Sequence, residues 1–111
     1  MQQENFGPIA TVPVASPSTS SQRVDLAAIL PAGTGPGVDD CLVTNDTDKL
    51  AFVKFGNNAS GASPVVATTA DTPIRPGAQI VLNKGAATGA AVIMSGAPSS
   101  GSVYFTVGTG S

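Results

Sequence analysis

Apolar and polar residues alternate with a period of two through most of this chain, in short runs separated by glycine, proline, asparagine and serine. Side chains of an extended strand point alternately to its two faces, so this period predicts half-buried β-strands. In "QRVDLAAIL", Gln22 to Leu30, Val24, Leu26 and Ala28 alternate with Arg23, Asp25 and Ala27. "CLVTN" from Cys41 and "KLAFVKFG" from Lys49 predict two more strands, the second with Ala51, Val53 and Phe55 on one face. "PVVATT" predicts a short strand, and "AAVIM" a strand apolar on both faces. "SVYFTV" ends the series, with Val103, Phe105 and Val107 alternating against Tyr104 and Thr106.

The stretch "DTPIRPGAQIVLNKG", Asp71 to Gly85, predicts two short strands meeting at Pro76-Gly77. Proline at the second position of a turn and glycine at the third fit type II, where the third residue takes positive φ. Arg75 then stands at the first corner, and Ile80 and Leu82 face the core. Helix has no good place: "DLAAIL" is short and stopped by Pro31, and a proline inside a helix removes a hydrogen bond and clashes with the preceding turn. The sum is all-β, an antiparallel β-sandwich or jelly-roll-like body of about seven to eight short strands.

The first 21 residues differ from the rest. "GPIATVPVASPSTSS" carries three prolines and a Ser/Thr run, which excludes helix and a central strand. Yet Phe6, Ile9, Val12 and Val14 need apolar cover. Residues 1–21 are therefore expected to form an extended arm laid on a partner, with residues 22–111 as the sandwich body. On that expectation, deleting Met1–Ser21 leaves the body folded.

Composition narrows the function. At 111 residues this is one domain. Only 11% of residues are charged, against about 25% in an average protein, and no apolar run reaches the ~20 residues that span a bilayer. A surface of small neutral side chains suits a chain packed against partners. The net charge of -2, with Arg23, Lys49, Lys54, Arg75 and Lys84 scattered, argues against nucleic acid, which needs a concentrated basic face. "MQQENFGPIA" lacks the basic and apolar regions of a secretory signal, so synthesis in a cytoplasm is expected.

Catalytic residue sets are missing. There is no histidine and one cysteine, which removes the Ser-His-Asp and Cys-His arrangements and the common zinc sites. "GTGPG" precedes an acidic strand rather than a helix, so it is not a phosphate cradle. Asp39 and Asp40 flank one end of a strand, Asp46 and Asp48 the other, and the latter pair reads as turn residues rather than a Ca²⁺ loop. Asn45 and Asn58 match the glycosylation triplet at chance level for a Ser/Thr-rich chain. Cys41 is expected to be a small buried hydrophobe. No enzyme, cofactor, metal or small-molecule substrate is expected.

Two candidate contact residues remain on the body. Tyr104 points opposite its apolar neighbours, where it can stack a sugar ring or donate a hydrogen bond at an interface. Arg75, with Asp71, puts charge at an edge of a neutral body. Together with Phe6, Ile9, Val12 and Val14 of the arm, they form the expected interface set.

"CLVTNDTDKLAFVKFGNNA", "TPIRPGAQIVLNKG" and "VYFTVGTG" resemble the small β proteins of tailed-bacteriophage structural modules, over about Asp39 to Gly110. The nearest functional group is the capsid decoration, or cement, proteins. The resemblance implies a jelly-roll or sandwich body with a terminal arm, clamping the joints between major capsid protein subunits on the outside of the virion, as a dimer or trimer. Similar domains occur in tail, fibre and head–tail accessory components. A carbohydrate-binding adhesion module is the alternative outside phage structure.

Overall fold

The computed structural model describes residues 7–30, 38–57 and 64–109. Eight strands run β1 (Gly7–Val14), β2 (Gln22–Asp25), β3 (Asp40–Asn45), β4 (Ala51–Gly56), β5 (Thr72–Ile74), β6 (Gln79–Asn83), β7 (Gly89–Met94) and β8 (Val103–Thr109). They form two antiparallel four-stranded sheets, ordered β1-β8-β3-β6 and β2-β7-β4-β5. Among the described residues there is no helix.

The pairings follow one rule. β1 pairs with β8, β2 with β7, β3 with β6 and β4 with β5. The first four strands thus run antiparallel to the last four as one long hairpin. That hairpin is rolled up so that β3 also meets β8 and β4 also meets β7. A rolled hairpin split between two sheets is a jelly roll.

Alternation decides which side chains are buried. On the first sheet Val43, Phe105 and Val107 point inward with no exposed surface, and Cys41 and Val103 join them. On the second sheet Ala51, Val53, Val92, Met94 and Ile74 face them. Phe55 and Phe105 meet edge to face, with ring centroids 6.4 Å apart at 83°, the arrangement that sets the positive edge of one ring against the negative face of the other. Fully burying an aliphatic or aromatic side chain contributes about 1.5–3 kcal/mol, so this layer is the main source of stability.

β7 is apolar on both faces because both are covered. Ala91 on its outer face is buried under Val65 and Ala67, with Ile93 alongside. The segment expected to be the strand "PVVATT" is instead a strap across the outside of the β2-β7-β4-β5 sheet, with no strand pairing of its own. Val65 N–H donates to Asn57 O at 2.8 Å, and Ala67 N–H to Ser21 Oγ at 2.9 Å. The side chain of Val65 occupies the space over Gly56, where an added Cβ would come within 2.9 Å of it.

Two further expectations change. The strand from Gln22 stops at Asp25 rather than Leu30, because the Asp25 carboxylate accepts the N–H groups of Ala27 and Ala28, both at 3.0 Å, and turns the chain. From Gly7 on, the N-terminal segment is extended but lies in the body. Residues 7–14 are β1, the outer strand of the first sheet, paired with β8 from Gly7↔Thr109 to Val14↔Val103. Their prolines fit because an edge strand needs hydrogen bonds on one side only. The body therefore begins before residue 22.

Candidate functional site

The expected interface residues are dispersed. Val14 is buried in the core at 6% exposure, and Val12 packs partly buried against it. Neither is free for a partner, since alternation along β1 turns both inward. Ile9 lies at the register break between Pro8 and Ala10 and is exposed. Phe6 lies outside the described residues. Arg75 is exposed at its turn, and Tyr104 is half-buried on the outward side of β8.

Register places Tyr104 in a broad outer face. Across the sheet run the rows Pro13–Tyr104–Thr44–Gln79 and Thr11–Thr106–Leu42–Val81. The Thr11 and Thr106 hydroxyls are hydrogen-bonded at 2.8 Å, which fixes β1 on β8. Neither Leu42, Val81 nor Tyr104 belongs to a buried cluster. No charged residue stands in these two rows. The opposite sheet differs: its outer face carries the strap and has Arg23, Ala91 and Lys54 in one row. The next row on the same side, Pro8–Gly108–Asp40–Asn83, carries one carboxylate, that of the largely buried Asp40. The sandwich thus has one strapped face and one face that is uncharged in its Tyr104 and Leu42 rows. Sequence reasoning missed Leu42 and Val81 as outward residues, because the apolar runs Cys41–Val43 and Ile80–Leu82 occupy both parities and hide which one faces out.

The Arg75 turn sits at the Tyr104 end of this face. Ala78 N–H donates to Arg75 O at 3.0 Å and Gly77 has φ 79°, which is the expected type II turn. It joins β5 and β6, which lie in different sheets, so it is a corner of the sandwich rather than a hairpin tip. Ile80 lies opposite buried Val43 yet keeps 36% exposure, because β6 is the outer strand of its sheet.

The corner is held by Asn45, which has no exposed surface. Its Nδ2 donates to Lys49 O at 2.8 Å and Ile74 O at 2.9 Å. Its Oδ1 accepts Thr47 N–H at 3.1 Å and Thr47 Oγ1 at 2.7 Å. Its backbone N–H donates to Ala78 O and its carbonyl accepts Gly77 N–H. Buried polar groups are tolerated when paired in this way. The same pairing leaves no free amide for glycosylation at Asn45.

The carboxylates and the thiol are also structural. Asp48 is fully exposed, and hydrogen bonds from the Ser99 hydroxyl at 2.8 Å and backbone N–H at 3.0 Å hold its carboxyl below the usual range. Among the described residues, no three His, Cys, Asp or Glu side chains cluster as a metal site would need. Burial pushes the Cys41 thiol up to about 12, against the smaller opposing pull of Lys84 and the Thr106 backbone, so it stays a protonated core residue. No family model matches the chain, and no curated protein or solved structure matches it.

Proposed function

We propose that this protein is a structural virion component that binds the outside of a phage capsid and stabilises contacts between major capsid protein subunits. The observation that carries the reading is the outer face around Tyr104, uncharged through the Tyr104 and Leu42 rows and flanked by the exposed Arg75 turn. The jelly roll is compatible with this work, since capsid domains use it, although lectins and enzymes do as well.

Size supports a lattice role. Four strands at ~4.8 Å spacing and about six residues of ~3.4 Å each make a face of roughly 400 Å². A standard interface covers about 800 Å² per partner. One such face holds weakly, and repeated contacts across a lattice raise the effective affinity. Tyr104 supplies an amphipathic anchor and Arg75 a charged rim contact; aromatic and arginine residues dominate interface energetics.

Cosedimentation with purified heads of the phage that encodes the chain tests this. Saturable binding in fixed ratio to the major capsid protein is expected, weakened by Tyr104→Ala and Arg75→Ala with the melting temperature unchanged. Heads that bind none of the protein at saturating concentration would overturn the reading. Selective binding on a glycan array that vanishes in Tyr104→Ala would replace it with the adhesion module.

A further inference from the structure

Four strands lie at sheet edges: β1, β6, β2 and β5. An edge presents unpaired backbone groups, and proteins guard against unwanted pairing with proline, charge, bulges or short length. β1 carries Pro8, Pro13 and a register break. β2 is four residues long with Arg23 and Asp25. β5 is three residues long with Pro73. β6 is "QIVLN", five residues with no proline, no charge and no break in register. Among the described edge strands it alone is unguarded, and it carries Ile80, an exposed large apolar side chain.

The outward backbone groups of β6 can be assigned. Asn45 N–H donates to Ala78 O, and Lys84 N–H to Asp39 O, so these even positions face β3. Backbone groups of successive strand residues point to opposite sides, so Ile80 and Leu82 also bond to β3. Gln79, Val81 and Asn83 direct their N–H and C=O away from the sheet.

We propose that β6 is a dimerisation edge that pairs antiparallel with β6 of a second copy about a two-fold axis at Val81. The sequence is self-complementary in that register. Val81 meets Val81, and Gln79 meets Asn83, as hydrogen-bonded pairs, each exchanging both N–H···O bonds through the outward groups just assigned. Ile80 meets Leu82 in the close non-hydrogen-bonded pair, which covers the exposed Ile80. No like charges face one another within the strand. The outer face becomes continuous across the axis, with the Thr106–Leu42–Val81 row of one copy meeting that of the other. Two sheets of four strands become one of eight. The pairing uses the free chain alone, so its failure is independent of capsid binding.

Sedimentation equilibrium of the purified full chain is expected to show a monomer–dimer equilibrium. Val81→Pro removes an outward N–H and no internal bond, and Val81→Lys sets two ammonium groups together at the axis. Both are expected to give a monomer with an unchanged circular dichroism spectrum. Amide hydrogen exchange on the wild type supplies a reading that needs no variant: the Val81 amide should gain protection as protein concentration rises, in step with the dimer fraction. A wild type that stays monomeric at millimolar concentration overturns the proposal. So does a dimer that survives both folded variants, or one in which the Val81 amide exchanges at the same rate as in the monomer.

Discussion

The side-chain amide of Asn45 donates to the carbonyl of Ile74 at 2.9 Å across a separation of 29 residues, joining the end of β3 in one sheet to the end of β5 in the other. No other buried side chain of the described residues engages as many backbone groups. The bond sits where the chain crosses between sheets at the Arg75–Ala78 corner, and it aligns the outer strand β6 with β3.

Asn45→Ala is expected to cost about 3–5 kcal/mol, because it strips partners from the Ile74 carbonyl and the Thr47 N–H at a buried site, each an unsatisfied group worth about 1–3 kcal/mol, while the Lys49 carbonyl keeps the Thr47 hydroxyl. Asn45→Asp keeps the shape but replaces the donating NH₂ with an acceptor against two carbonyls. It should be at least as damaging at neutral pH and partly relieved in acid, where a protonated carboxyl donates once more. Urea unfolding of the three proteins at neutral and acid pH measures both effects.

The two glycines of positive φ near this corner should respond differently to alanine. Gly101 has φ 92°, and an added Cβ would overlap the Asp46 carbonyl oxygen. That contact is with backbone, which Asp46 N–H fixes further by donating to Ser102 O at 2.9 Å. Gly77, in the type II turn, has φ 79° and nothing within 4 Å. Gly77→Ala therefore carries only the left-handed backbone cost, about 1 kcal/mol. Gly101→Ala adds a steric clash that forces the 95–102 loop off the Asp46–Lys49 turn, and a loss of more than about 3 kcal/mol is expected. Thermal denaturation of the pair separates the two contributions.

The sandwich or jelly-roll class and the local chemistry were legible in this sequence, and the pairing of particular strands was not. Alternation in "AFVKFG" places Ala51, Val53 and Phe55 inward, where they are found, and Pro76-Gly77 specifies its turn type. The same turn does not tell whether β5 and β6 pair with each other. They do not, because Asn45, far away in sequence, draws Gly77 and Ala78 to β3. "PVVATT" has strand composition but meets a sheet face instead of an edge, a tertiary choice that propensity does not encode. Tyr104 was legible as outward from parity. The partners beside it, Pro13 and Thr44, depend on register between distant strands.

Prolines made the N-terminal segment look separable, and the pairing of β1 makes the opposite prediction. Removing residues 1–14 takes away an eight-residue strand, the Val14 side chain and one wall over Phe105. The truncated chain is expected to melt far below the full chain or to remain unfolded, as read by circular dichroism. Val14→Ala is the milder version, at about 2 kcal/mol for two buried methyl groups and the space they leave. A truncated chain with an unchanged melting temperature would restore the arm as a separate element.

Cys41 ties stability to alkaline pH. An exposed thiol ionises near 9.0, whereas burial of Cys41 raises it to about 12 in the fold. Between these values the unfolded chain has lost the proton and the native chain keeps it, so the native state binds more protons. Stability is then full below pH 9 and falls as pH rises, by up to ~1.4 kcal/mol per pH unit from this one group. Cys41→Ala should flatten that limb of the pH profile while lowering stability at neutral pH through the cavity it leaves. A disulfide reagent at pH 8 should label the native protein only at the rate at which it opens, and label it at once in denaturant. Equal labelling rates in both conditions would place the thiol at the surface and remove the alkaline effect with it.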